Sequence, residues 1–473
     1  MSSLAGSNPA PSAMIPHHRR GPSTAKLVIG TVRYHVWTVG CQMNQADSER
    51  MGSGLEQLGL EWTDDPKQAD VIVLNSCVVR QSAEDRVVGM LTSLKPWKQR
   101  NPDKTLALMG CMVGPQADAL RKRYPYVDLF MQPQQFEPLI ARIGEKAGVD
   151  PDGCAQIAQP ASLVPGHPGV TAHVPIIHGC DKFCTFCIIP FRRGREASRP
   201  LQELVDECRT LAQRGVREVT LLGQNVDSYG HDLAGAPDLA DLMEAVHDGV
   251  PELARIRFLT SHPNDMSQRI IDAIARLPRV MESVNLPFQA GNDEVLEQMR
   301  RGYTNADYRE LVSRIRATVP GVAMVTDLIV GFPGETESQF EDTLAMVRDL
   351  RFDKVHAAVY STRPNTYAQR KLSDDVPLEE KQRRFRAIEA AQEAVLTEIN
   401  NTYFGTTQEV LVDGRSKGRW QGRTRTDKLV FFEPTDDMAT DMLGRLVNIR
   451  ITRTTPWSLQ GALTDAPEYA SAG

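Results

Sequence analysis

The 473-residue chain has no long apolar run: nothing in it approaches the roughly 20 uninterrupted apolar positions of a membrane-spanning helix. No membrane partner is expected. Cysteines are few, eight in all, which is too sparse for a disulfide framework, and no apolar secretory core precedes them. Reduced thiols in the cytoplasm are therefore the expectation. Positive charge is not in excess either, since 54 Lys and Arg face 60 Asp and Glu for a formal net charge of -6. A nucleic-acid partner would need a local basic patch rather than a global field. The segment up to Lys26 lacks acidic side chains, yet Pro9, Pro11, Pro16 and Pro22 interrupt any amphipathic helix there. Residues 1–28 read as a disordered tail.

What remains is a soluble-protein composition, 41% hydrophobic and 24% charged, in a chain too long for one ordinary core. "YHVWTVGC", "ADVIVLNSC" and "TLALMGC" are apolar runs that each end in a cysteine, and helix-like stretches follow the first two. This is the βαβ rhythm of a parallel sheet, predicted over residues 29–147. Residues 148–172 are rich in Pro, Gly and Ala and read as a linker. Over 173–402 six further strand candidates alternate with helical patterns, which predicts a partial (β/α)6 barrel with its function at the strand C-terminal face. A long helical pattern near 377–401 closes that domain. Short alternating runs over 403–466 then read as a small all-β barrel. The fold class is α/β with an all-β appendage.

The densest chemistry lies in "HGCDKFCTFCIIPFRRGRE", where Cys180, Cys184 and Cys187 stand in C-x3-C-x2-C spacing. Zinc sites and ordinary ferredoxin clusters take four protein ligands, and no fourth Cys or His sits at a usual offset. Three thiolates can hold three irons of a [4Fe-4S] cube and leave the fourth iron open. The alternative, buried apolar thiols, fits poorly with Asp181, Lys182 and Thr185 in the same loop. Cys41, Cys77 and Cys111 stand at equivalent strand ends, where they could converge, although free thiols are also common core residues. Cys154 and Cys208 read as bystanders.

C-x3-C-x-aromatic-C after the first strand of a βα barrel resembles the S-adenosylmethionine radical enzymes. The series "TVGCQMN", "LNSCVVR", "GCMVG", "GCDKFCTFCIIPFRRGRE", "LLGQNVDSYG", "TSHP", "LPFQAGND" and "RGYT" is similar, in order, to the methylthiotransferases over about residues 30–466. The resemblance implies two [4Fe-4S] clusters, one on Cys180, Cys184 and Cys187 and an auxiliary one on Cys41, Cys77 and Cys111. It implies S-adenosyl-L-methionine on the first, bordered by Phe186. By the same resemblance the substrate is N6-dimethylallyladenosine at tRNA position 37, in the anticodon loop, methylthiolated at C2. A reducing electron-donor protein and a monomeric chain belong to the same expectation. Sister activities on threonylcarbamoyladenosine or on a ribosomal-protein aspartate remain alternatives, as does, more remotely, a non-catalytic iron-sulfur RNA-binding protein. "RGREASRP" and "LLGQNVDSYG" favour the dimethylallyl type. "LPFQAGN" and "STRPNT" depart from the usual "LPVQSGS" and "SPRPGT".

Gln224 and Asn225 follow a strand and are candidate cofactor contacts; His262 and Gln289 occupy similar strand ends, where a capping role is equally compatible. "GFPGE", Gly331 to Glu335, could offer backbone N–H groups to a carboxylate. Arg192, Arg193, Arg195 and Arg199 are read as phosphate contacts. A second basic stretch, "DGRSKGRWQGRTRTDK", interleaves Trp420 and looks like part of a TRAM RNA-binding module in which the indole would stack on a base.

Overall fold

The computed structural model describes residues 32–78, 81–433 and 441–464. The tail expected over 1–28 lies outside the described residues. The first unit is a parallel sheet of five strands, β1 (Arg33–Thr38), β2 (Glu61–Trp62), β3 (Val71–Ser76), β4 (Thr105–Gly110) and β5 (Leu129–Met131), in the order β2-β1-β3-β4-β5. The run "VIVL" of β3 is apolar throughout because both faces are covered. Val71 and Val73 pack with Met51 and Leu55 of the helix Gln42–Gln57, whereas Ile72 and Leu74 pack with Val87 and Leu91 of the helix Gln81–Arg100.

Residues 148–172 differ from the linker expectation. They hold the helix Pro151–Ile157, capped by the Asp150 carboxylate on Gly153 N, and bury Cys154, Ala158 and Leu163 in the first unit's core. The Pro and Gly that suggested a linker instead start and bound a short helix.

β6 (Thr171–Pro175) opens the second unit. A two-residue hairpin, β7 (Ile177–His178) with β8 (Ala197–Ser198), then pinches both ends of the cysteine loop together. Gly179 is obligatory at that pinch: its φ is +75° and a Cβ would stand 1.9 Å from the Arg195 carbonyl oxygen. β9 (Glu218–Leu222), β10 (Arg255–Leu259), β11 (Ser283–Asn285), β12 (Ala323–Val330) and β13 (Lys354–Val359) follow, each separated by helix. Their parallel order is β6-β9-β10 and β11-β12-β13, and the two halves are stitched at Ile256–Val280 and by Ser261 N to Asn285 O at 3.0 Å. The expected open (β/α)6 barrel is thus present, filled by a single large apolar core. In "STRPNT", Asn365 adopts φ +71°, the left-handed conformation that the more usual glycine would take, so the departure there leaves the turn intact.

The helix Leu378–Asn401 leads into the last unit: β14 (Thr407–Ser416), β15 (Arg419–Thr424), β16 (Leu429–Phe432), β17 (Leu446–Thr454) and β18 (Leu459–Leu463), closed in the order β14-β15-β16-β18-β17. This small barrel docks on the amino-terminal ends of the larger barrel's strands. Arg255, fully buried, donates to Arg423 O at 2.6 Å and pairs with Glu409 at 2.9 Å. Arg257 donates to Thr424 O at 2.8 Å, while Arg425 and Lys428 pair with Glu282 and Asp353 at the starts of β11 and β13.

Candidate iron-sulfur and cofactor site

Parallel strands that share a direction deliver their C-terminal residues to one edge. Cys41, Cys77 and Cys111 follow β1, β3 and β4 at that edge, and backbone bonds lock the latter two as neighbours, Cys111 N donating to Ser76 O at 2.8 Å. Cys41 joins them because Gly40 (φ +150°) lies against Cys77, whose Cβ would be 2.8 Å from an added methyl. Asn44 braces the group, its Nδ2 donating to Asn75 Oδ1 and Ser76 O, both at 3.0 Å.

The second triplet is fixed from three sides. Cys180 N donates to Gly194 O, Thr185 N donates to Met299 O, and Ala368 N donates to Thr185 O, at 3.2, 3.1 and 2.9 Å. Burial pushes Cys180 up to about 11 and Cys187 up to about 12, with Cys184 repelling the ionised form of each. Burial likewise raises Cys111. All six are free of disulfides. Crowded thiols that resist ionisation become thiolates when a metal is there to receive them. Among the described residues the only His, Cys, Asp and Glu trio whose ligand atoms all lie within 4.8 Å is Asp181, Glu196 and His231, on the surface, where Arg195 already binds Asp181. Neither cysteine triplet is closed to the spacing of ligands on one ion, where sulfurs about 2.3 Å from a metal stand close together.

The segments that carry the two triplets pack against one another. Ile188, next to Cys187, is buried in the same apolar cluster as Cys111, and Met43 and Ala46, just past Cys41, pack on Leu222 at the end of β9. The arginines read as phosphate contacts are what seals this junction. Arg193 and Asp47 pair at 2.9 Å with side chains 2% and 0% exposed. Arg199 and Arg50 both pair with Glu207, at 2.7 and 2.6 Å. Arg192 lies against Gly114, where a Cβ would meet its Nη1 at 1.9 Å. Only Arg195 is freely exposed, and Asp181 holds it. A buried guanidinium on the interface cannot reach RNA, so the sequence expectation is corrected for Arg193 and Arg199.

Two buried arginines also reach sulfur. Arg301 Nη1 donates to Cys184 Sγ at 3.2 Å and its other nitrogens hold Tyr303 Oη and Pro287 O. The Arg193 charge, also beside sulfur, opposes the rise that burial imposes on Cys111. Burial opposes the charge on Arg301, but Tyr303 and Cys184 more than offset it. Nothing local in "RGYT" marks its arginine for this role, because the partner sulfur lies 117 residues away.

The remaining candidates divide. Phe186 is half-buried against Ala290, Val295 and Leu296. Gln224 Oε1 and Asn225 Oδ1 are buried without a hydrogen-bond partner among the described residues, while Asn225 Nδ2 donates to Asp265 at 2.6 Å. Unsatisfied acceptors at a strand end fit a polar ligand. His262 is held neutral, burial and then Arg301 drawing it down to about 2. Gln289 serves the fold: its backbone bonds tie β11 to β12. "GFPGE" has no free N–H for a ligand carboxylate at its first residue, because Gly331 N already donates to Glu335 at 2.6 Å and Arg384 clamps that carboxylate. Trp420 is 3% exposed in the small barrel's core, with Arg415 stacked 3.7 Å from its ring, so it does not present a face to a base. Its neighbours Arg425 and Lys428 are spent on the docking surface, leaving Arg415 and Lys417 outward.

The chain matches family models for the Radical SAM superfamily over residues 174–347, the uncharacterized protein family UPF0004 over 33–132 and the TRAM domain over 401–464. It is 50% identical over 442 residues to the tRNA-2-methylthio-N(6)-dimethylallyladenosine synthase of Roseiflexus sp. (strain RS-1), covering 92% of this chain and 90% of that protein. The chain belongs to that synthase family. A second member, from Herpetosiphon aurantiacus, is 48% identical and covers 91% of this chain and 97% of its own. The solved radical S-adenosylmethionine methyltransferase TsrM from Kitasatospora setae shares the fold, with a TM-score of 0.53 at 15% identity over 72% of this chain and 74% of its own. No helix among the described residues is long and apolar enough to cross a membrane.

Proposed function

We propose that Cys180, Cys184 and Cys187 hold one [4Fe-4S] cluster and Cys41, Cys77 and Cys111 a second, in an enzyme that installs a methylthio group at C2 of N6-dimethylallyladenosine 37 of tRNA. The observation that supports the reading is that Cys41, Cys77 and Cys111 follow neighbouring strands at one sheet edge, whose core also buries Ile188 beside Cys187, in a chain of this synthase family. Residues 29–147 carry the auxiliary triplet, 173–402 the radical core and 403–466 the TRAM module. S-adenosylmethionine, when bound at the iron that three cysteines leave open, supplies a methyl group and a carbon radical. The chain's residues position and insulate. Phe186 borders the adenine, Gln224 and Asn225 offer acceptors to the cofactor, and Arg301 and Arg193 place positive charge beside the sulfurs. The interface ion pairs hold the two triplets in register so that the target base, splayed from its loop, can meet both. A reductant protein supplies electrons to a monomer in the cytoplasm.

Reconstitution under anaerobic conditions is expected to load about eight irons, four per triplet. Replacing Cys184 with Ala should halve that load and leave tRNA with its dimethylallyl group but no methylthio group, read by nucleoside mass analysis. Methylthio product from that variant would refute the assignment.

A further inference from the structure

Six aromatic side chains stand exposed among the described residues, and three of them, Phe183, Phe191 and Tyr367, belong to one place. Phe183 lies inside the cysteine loop itself. Phe191 follows it, with ring centroids 6.4 Å apart and planes at 80°. Tyr367 is brought to the other side of the same loop, because its neighbour Ala368 donates to Thr185 O. Burial does not explain these rings: they are 41%, 40% and 36% exposed. Nor is the backbone at ease, since Phe183 adopts φ +49°, a left-handed conformation that disfavours a bulky residue.

Two of the rings carry a guanidinium. Arg300 stands 4.2 Å from the Tyr367 centroid and Arg195 5.8 Å from that of Phe183. Arg195 is oriented by Asp181 through bonds of 2.6 and 2.9 Å. Arg300 makes no ion pair among the described residues, which leaves its charge for a ligand. Flat π-faces alternating with planar cations are the composition that stacks unpaired bases while meeting their phosphates. A duplex cannot use such faces, because its bases are already stacked.

We propose that Phe183, Phe191 and Tyr367, with Arg195 and Arg300, form a rim around the cysteine loop on which unpaired bases of the RNA loop flanking the target adenosine stack. The proposal rests on the tRNA reading above and adds to it the surface that receives the loop. It also relocates recognition: the basic stretch of the small barrel docks at the opposite ends of the strands, roughly 17 Å of β-strand away.

The test uses the full reconstituted chain and a labelled anticodon stem-loop carrying N6-dimethylallyladenosine, alongside a blunt RNA duplex with the same stem. Phe191→Ala combined with Tyr367→Ala, both outside the cysteine triplet, is expected to weaken stem-loop binding at least tenfold and to leave duplex binding unchanged. Phe183→Trp keeps a ring in the loop, and the introduced indole should be quenched by the stem-loop and not by the duplex. Full stem-loop affinity in the double variant, or no quenching, overturns the proposal while the enzymatic reading stands. So does a defect confined to reduction by a protein electron donor, which would assign the rim to that partner. Failure of the unsubstituted chain to bind the stem-loop at all would instead remove the tRNA reading beneath it.

Discussion

Replacing Arg193 with Met removes the only hydrogen-bond donor, among the described residues, of a carboxylate that has no access to water. Asp47 is 0% exposed at its side chain, receives Arg193 at 2.9 Å on one oxygen and has no partner on the other among the described residues. Stripped of the guanidinium, Asp47 escapes by taking a proton, and the cost of doing so at pH 7 is bounded by its distance from an ordinary carboxyl. That distance is about 3 pH units at 1.36 kcal/mol each, or about 4 kcal/mol, within the range for breaking buried pairs. At pH 5 only about 1.5 kcal/mol remains, because protonation is then nearly free. Native hydrogen exchange of the helix Gln42–Gln57 in the reconstituted chain reads the loss directly. Its protected amides should exchange about a thousandfold faster at pH 7 and much less so at pH 5, after correction for intrinsic rates. Pairing the change with Asp47→Leu should recover most of the protection. An unaltered helix at pH 7, or additive single effects, would refute the reasoning.

Arg301→Met should lower the midpoint potential of the cluster on Cys184 by about 60 mV, since a charged donor on a ligand sulfur favours the more negative reduced state. Electron-paramagnetic redox titration in a chain lacking the auxiliary cysteines checks this, and Arg301→Lys should restore part of the shift. Asp227 supplies the pH test. Burial raises it from 3.8 to about 7, with Ser261 and His262 N opposing. Between those values the folded chain holds a proton that the unfolded chain has lost, so stability falls as pH rises through that window and levels off above it. Asp227→Asn should remove a decline on the order of 4 kcal/mol between pH 4 and 7. Equal pH slopes for the two chains, measured by urea unfolding, would contradict it.

Much of the architecture was legible because periodicity is a local property. Five of the six barrel strands lie within the apolar runs expected for them and β6 overlaps its own, and each auxiliary cysteine follows a strand whose apolar residues face two covered sides. Among the strands that escaped, β2, β5 and β8 are short and β15 is Gly- and Arg-rich, so no alternation marked them. Cysteine spacing likewise announced the Cys180 triplet without help from the fold.

Partnership was not legible. Arg193 finds Asp47 across 146 residues and Arg301 finds Cys184 across 117. A basic side chain looks the same in sequence whether it will meet phosphate, carboxylate or sulfur. The sequence by itself determined the strand rhythm and the family, because periodicity and motifs depend on residues near one another along the chain. The tertiary structure alone decided that the arginines seal the interface and that Trp420 is core. It also decided that three aromatic rings ring the cysteine loop, because only packing establishes which charges lose their water and which rings keep theirs.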